Sequence, residues 1–218
     1  MESYTEENYL KVIYHLSKLT TGTVQTNAIA DKIQTRPASV TDMMKKLAEK
    51  QLINYVKYQG VTLTEKGKVT AVNIVRKHRL WELFLVKTLN FKWDEVHEIA
   101  EELEHVNSPL LIERLDEYLG YPKSDPHGDP IPDKNGNFDS PVLIKLSKLK
   151  PAEKGIVVGV SEHSSSFLKY LDKIKLTLGT TVEMIEVIEF DGSVDLLVEN
   201  TRKNISREVA SHILMRTT

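Results

Sequence analysis

RKHRLWELFLVKTLNFKWDEVHEIAEELEHVN, residues 76–107, places acidic and imidazole side chains at helical spacing. His78 and Glu82 are four residues apart and share one helix face, while His97, Glu101, Glu104 and His105 follow the i, i+4, i+7, i+8 stripe of a second helix. Val96, Ile99, Ala100, Leu103 and Val106 fall largely to one side of that stripe, which leaves the second helix an apolar face to bury. Packed together, the two helices would gather three histidines and three glutamates into one small region. One such residue alone reads as a solvated surface group. Six of them obeying one geometry point to a metal site, and imidazole with carboxylate but no thiolate suits Mn(II) or Fe(II).

The rest of the composition narrows the setting. A chain of 218 residues with 40% hydrophobic content can bury two or three small cores. The formal net charge is -2, so a nucleic-acid partner would have to be met by local basic clusters. There is no cysteine, which excludes disulfides and thiolate metal sites and fits a reducing, cytoplasmic setting. No signal-peptide pattern, no apolar run of membrane-spanning length and no repeat is present, so a soluble protein without membrane contact is expected.

Upstream, Ser3-Tyr4-Thr5-Glu6 has the form of a capping box, and Tyr9, Val12, Ile13 and Leu16 mark the apolar face of the helix it starts. Asn8, Lys11 and His15 lie on another face. Thr26 to Ile33 reads as a short helix and Gln34-Thr35-Arg36 as a tight turn. Pro37 opens a helix running to about Gln51 whose buried stripe is Val40, Met43, Met44 and Leu47. A short helix, a turn and a capped second helix form a helix-turn-helix. Residues 52–63 then read as a β-hairpin turning at Gln59-Gly60, a wing directly behind the recognition helix. From Met1 to Val75 there are ten Lys or Arg against seven Asp or Glu, a local +3 that leaves -5 for the remaining 143 residues. The basic charge is therefore concentrated where DNA contact is expected.

Downstream of the wing, Thr64 caps a long helix with an almost continuous apolar surface after Val69, which implies cover from a second subunit. Asn90-Phe91 ends it, the stripe helix is expected to start at Asp94, and Ser108-Pro109 start a further helix closed by Gly120. Tyr121 to Ser140, with four prolines, reads as an irregular linker in which His127 and Asp129 could be ligands but read first as solvated loop residues. After Leu149 the pattern changes to short strands, among them 155–160, 182–188 and 194–198, around a small helix at Phe167–Leu171 and a turn at Asp191-Gly192. A small SH3-type β-barrel is expected. The fold class is thus α+β: a winged helix-turn-helix over 1–74, an all-α dimerisation and metal-binding domain over 75–140, and an SH3-like domain over 147–218.

This order of parts resembles the diphtheria toxin repressor family of metal-dependent regulators. The residues carrying the resemblance are ENYL at 7–10, RPASVTDMMKKL at 36–47, LTEKGK at 63–68, RKHRLWE at 76–82, VHEIAEELEHV at 96–106 and DPHGDPIP at 125–132, with a looser match through FLKYL at 167–171 and LGTTVEM at 178–184. The resemblance implies a homodimeric, cytoplasmic repressor, not an enzyme and without a small-molecule substrate. It would bind a palindromic double-stranded operator when loaded with metal, about two ions of Mn(II) or Fe(II) per subunit, and so control metal-ion uptake. Carried onto this chain, one family site uses Asn8, Glu101, Glu104 and His105. The other uses His78, Glu82 and His97 with a barrel ligand near His163 or Ser166, Glu162 being an alternative. Arg36, Pro37, Ala38, Ser39, Thr41 and Asp42 would face the major groove, and Lys57 and Lys66 the phosphates. Glu101 stands where iron-type members have sulfur, which favours manganese. Two departures stand out: Asn8 replaces an aspartate or methionine, and Lys11 stands where the small manganese regulators have an acid. Outside this family, the ligand set would also suit a di-metal hydrolase, but no nucleophile, general base or phosphate loop accompanies it. A winged-helix sensor of an organic ligand would leave the stripe merely structural.

Overall fold

The computed structural model describes residues 2–138 and 141–217, and the chain divides into two bodies. The first comprises Met1–Trp81, Glu101–Arg114 and Pro132–Phe138. Its opening helix α1, Tyr4–Leu19, starts with the expected capping box: Ser3 Oγ accepts the Glu6 N–H at 3.3 Å and Glu6 Oε2 accepts the Ser3 N–H at 2.8 Å. Helices α2, Thr26–Ile33, and α3, Pro37–Glu49, are joined through Gln34, which takes the left-handed conformation (φ 56°). Pro37 sits in the first turn of α3, and Val40, Met44 and Leu47 turn inward at helical spacing. They meet Leu10, Ile13, Ile29 and Leu52 in one apolar core.

The wing is β1, Ile53–Val56, paired antiparallel with β2, Gly60–Leu63, in the register Ile53↔Leu63 to Val56↔Gly60. Val24 adds a bridge to Val61, with both N–H···O bonds at 2.9 Å, so the segment after α1 is held to the wing. Gly60 is required there: its φ is +101°, and a Cβ would lie 2.5 Å from the Val24 carbonyl oxygen. Thr64 Oγ1 accepts the Gly67 N–H at 3.1 Å and starts α4, Glu65–Leu89. Most apolar residues of α4, among them Ala71, Val72, Ile74, Val75, Leu80, Leu83 and Leu85, are buried within the chain itself. The cover expected from a second subunit is therefore not needed along most of this helix.

Glu6 does more than cap α1. Its side chain, 1% exposed, also receives Lys50 Nζ at 2.7 Å and Lys46 Nζ at 3.0 Å from the end of the recognition helix. Burial pushes its carboxyl up, but the bonds from Lys50, the Ser3 amide and Lys46 outweigh this and lower it from the usual 4.5 to about 2. A carboxyl depressed in the folded state stabilises above its unfolded pKa and loses that contribution as pH falls through the folded value. The two lysines are half exposed, so the contribution is discounted for screening to about 2 kcal/mol. Glu6→Gln is expected to lose about that much at neutral pH and to flatten the dependence of stability on pH between 4.5 and 2. Urea melts of both proteins across that range check it; parallel curves would exclude the role.

The second body comprises Glu82–Ala100, Leu115–Ile131 and Asp139–Thr218. Its centre is a six-stranded antiparallel sheet in the order β3-β8-β4-β5-β6-β7. In chain order the strands are β3 Ile144–Lys145, β4 Lys154–Val160, β5 Thr181–Val187, β6 Val194–Val198, β7 Thr201–Ile205 and β8 Ile213–Thr217. Bulges between Val157 and Gly159 and between Met184 and Glu186 bend it. Leu146, Val157, Leu168, Leu171, Val182, Met184, Leu196 and Ile213 fill its core. Helix α7, Ser165–Lys173, covers the sheet, and the chain after β6 is broken into β7, the short helix α8 (Arg207–Ser211) and β8. The break comes from Ser206, whose Oγ caps α8 by accepting the Val209 N–H at 3.2 Å.

Two helices connect to both bodies in sequence. Helix α5 spans His97–Leu103, shorter at each end than its hydrophobic pattern predicts, and α6 spans Pro109–Tyr118. Residues 92–96 are held in turns by tertiary partners: Trp93 Nε1 donates to Asp172 at 3.1 Å, Ser165 Oγ donates to Asp94 at 3.1 Å, and Lys169 Nζ lies 3.4 Å from Asp94. Glu104 and His105 lie in the turn after α5.

Candidate metal centres and the DNA-facing surface

In the first body Lys11 and Glu7 of α1 reach Glu101, Glu104 and His105 at the end of α5 and in the turn after it. Glu104 there is 0% exposed, and each of its carboxylate oxygens is engaged: Oε1 by Lys11 Nζ at 2.6 Å, Oε2 by His78 Nδ1 at 2.7 Å. The same ammonium reaches Glu101 Oε1 at 2.7 Å. His105 Nδ1 meets Glu7 Oε2 at 2.5 Å and its ring lies on Tyr4, centroids 3.6 Å apart. Its Nε2 is buried without a hydrogen-bond partner, 3.6 Å from Glu104 Oε1. The Asn8 side-chain oxygen is likewise buried and unpartnered. Buried polar atoms are normally satisfied. Two orphaned lone pairs, one on Asn8 and one on His105 beside the buried Glu104 carboxylate, are the kind of donors that fit a cation. Burial also pushes the Lys77 amine down, against the opposing pull of Glu7 and Glu104.

The second body builds another cluster. Glu82, from α4, is 2% exposed. His97 Nδ1 lies 3.3 Å from Glu82 Oε1, and His127 Nδ1 lies 3.4 Å from Glu82 Oε2. The donor atoms of Glu82, Asp125 and His127 lie within 4.8 Å of one another. His127 is 1% exposed, and its Nε2–H donates to the Trp93 carbonyl at 2.8 Å. That bond fixes the neutral tautomer and leaves the Nδ1 lone pair facing a carboxylate oxygen. Two acceptors facing each other in a buried place call for a proton or a cation between them. The His127 imidazole accordingly titrates upward: burial pulls it down, but the Glu82 hydrogen bond and charge and the Asp125 charge prevail. These residues fit a metal.

His127 and Asp129, with the rest of Tyr121 to Ser140, read as an irregular, solvated linker. The segment is instead folded onto the sheet: Asp125 Oδ1 accepts the N–H groups of His127 (2.8 Å) and Asp129 (3.0 Å), and the His127 carbonyl accepts the Val160 N–H at 2.9 Å. Gly128 makes this possible: its φ is +88°, and a Cβ would lie 2.1 Å from the Val158 carbonyl oxygen. The readable signal was the pattern DPHGDP, a histidine between an aspartate and a glycine with prolines on either side.

His78, grouped by the resemblance with Glu82 and His97, has its Nδ1 against Glu104 and 3.8 Å from Glu101. His163 stacks on His127, ring centroids 4.8 Å apart, with its Nε2 3.3 Å from the Val160 carbonyl. Burial lowers its pKa, partly countered by Asp129. Glu162 is spent accepting the Ser164 N–H at 2.9 Å, and the Ser166 hydroxyl lies against Ser164.

Of the residues expected to face DNA, Arg36, Pro37, Ala38, Ser39 and Asp42 are exposed at the start of α3 and Thr41 is partly so. Thr41 Oγ1 donates back to the Pro37 carbonyl at 3.0 Å, and Asp42 pairs with Lys45 at 3.0 Å. At the tip of the wing the Lys57 ammonium lies 4.9 Å from the ring centre of Tyr58, which is exposed at φ 66°. Lys66 Nζ donates to the Lys50 carbonyl at 3.3 Å. No helix among the described residues is long and apolar enough to cross a membrane.

A winged helix ahead of carboxylate–imidazole clusters and an SH3-like sheet defines the three-domain class of metal-dependent transcriptional repressors. Three family descriptions match: residues 1–61 as the iron dependent repressor N-terminal DNA binding domain, 64–133 as the iron dependent repressor metal binding and dimerisation domain, and 144–217 as the FeoA domain. The iron-dependent repressor IdeR of Mycobacterium tuberculosis is 31% identical over 182 residues, 78% of each chain. The regulator MntR of Oceanobacillus iheyensis is 34% identical over 125 residues, 57% of this chain and 84% of that one. A solved manganese-dependent transcriptional repressor in complex with manganese superposes with a TM-score of 0.87 at 32% identity, covering 98% of this chain and 100% of that one. The chain belongs to the iron-dependent repressor family, the diphtheria toxin repressor family of the sequence resemblance, whose members are regulators and not enzymes.

Proposed function

We propose that the chain is a cytoplasmic homodimer that takes up Mn(II), with Fe(II) as the alternative ion, and then binds a palindromic operator controlling metal-ion uptake genes. The proposed domains are 1–74 for DNA, 75–140 for metal and dimerisation, and 147–218 for the SH3-like part. The observation that carries the reading is the pair of buried clusters made of carboxylate, amide oxygen and imidazole without sulfur, each with lone pairs left facing no donor. Such ligands suit hard to borderline divalent ions. Asn8, Glu104 and His105 would hold one ion, and Glu82, His127 and His97 with Asp125 another. The ion would supply positive charge that draws these donors together.

Helix α1 carries the consequence to the DNA face. Glu7 bonds His105 at 2.5 Å, and its neighbour Glu6 holds Lys46 and Lys50 at the end of the recognition helix. Ordering Asn8 around an ion therefore orders α3. Exposed Leu110, Leu111 and Tyr118 on α6 are the apolar side chains this reading gives to the second subunit. The test uses duplex DNA selected from a randomised pool with Mn(II) present. Exhaustive chelation should release the DNA and Mn(II) should restore it; binding that survives chelation would reject the proposal.

A further inference from the structure

The first cluster already contains a cation. We infer that Lys11 is the resident counter-charge of Glu101, Glu104 and His78, so that this lobe of the cluster takes no divalent ion and α1 stays tied to α5 in the metal-free chain. The inference rests on reading the neighbouring Asn8, Glu104 and His105 atoms as the metal site. Lys11 is 8% exposed, and its ammonium lies 2.7 Å from Glu101 and 2.6 Å from Glu104, the distances of charge-assisted hydrogen bonds. His78 closes the other side, with Nδ1 on the second Glu104 oxygen. Two carboxylates and an imidazole would form a divalent-ion lobe if the ammonium were absent. With it in place one of the two carboxylate charges is offset, and a divalent ion entering between Glu101 and Glu104 would have to approach a like charge in a buried place. A tethered ammonium also costs no binding equilibrium, so the contact between α1 and the turn after α5 exists at every metal concentration. The orphaned Asn8 and His105 atoms remain the part of the cluster that responds to metal.

The experiment counts Mn(II) bound per chain by equilibrium dialysis at saturating metal, without DNA, for the wild type, Lys11→Glu and Lys11→Gln. Lys11→Glu should bind about one equivalent more than the wild type, and Lys11→Gln should gain in the same direction with lower affinity. The glutamine variant keeps the test valid if the third acid prevents folding, which circular dichroism reports. Equal counts in all folded proteins would overturn the inference, because metal would then fill the lobe by displacing Lys11. A wild type that binds no Mn(II) while Lys11→Glu binds one would support the role of Lys11 and defeat the proposed metal response instead.

Discussion

His105→Ala is expected to abolish Mn(II)-activated operator binding, lowering affinity at saturating metal by about 100-fold while the dimer persists. The magnitude is the upper part of typical allosteric coupling, 1–3 kcal/mol or roughly 5–150-fold. The imidazole is involved twice. Its buried Nε2 is one of the two unpartnered donors of the cluster, and its Nδ1 holds Glu7, which adjoins the residue gripping the recognition helix. Removing the ring deletes a ligand and cuts the link from the turn after α5 to α1. The side chains assigned to dimer contact lie elsewhere, on α6, so light scattering should still give the dimer mass. Operator affinity against free Mn(II) checks the rest; an unshifted curve would remove His105 from the site.

His127→Ala should act on the second cluster in a different way. The imidazole donates to the Trp93 carbonyl and faces Glu82, so its loss takes one partner from a buried carboxylate and removes the donor that meets the carbonyl. Mn(II) affinity of this cluster should fall by at least about 10–100-fold. The metal-free chain should lose about 2–4 kcal/mol of stability through the cavity and the unmet polar groups. His97→Ala should be milder, because its side chain is half exposed, and should leave activation at high Mn(II). Dialysis counts together with thermal melts separate the two variants. A His127→Ala protein with wild-type metal content and melting would show that the imidazole only fills space.

The parts legible in the sequence are those whose causes are local. Helix α2 runs over Thr26–Ile33 as its pattern indicates, Pro37 starts α3, the capping box starts α1, and the wing turns where Gln59-Gly60 indicates. What escaped was set by distant contacts. Residues 92–96 are apolar and acidic enough to extend α5, but α7 holds Trp93 and Asp94 in turns. Asp125 and His127 sit among prolines and glycine, a composition that marks a loop but is silent on burial. Only β4, some thirty residues later, covers them. His78 and Glu82 share one face of α4, as their spacing indicates. A turn of α4 separates them, and His78 is directed to Glu104 while Glu82 meets His97 and His127. Lys11 was recognisable as a departure from the small manganese regulators, but its position between two carboxylates required the fold.

The central claim is that metal and operator bind to one linked state, and the most direct measurement is Mn(II) affinity with and without operator DNA. Linkage requires DNA to tighten Mn(II) by the same factor by which Mn(II) tightens DNA, expected at roughly 5–150-fold. Equal Mn(II) affinities in the presence and absence of the operator would contradict the account.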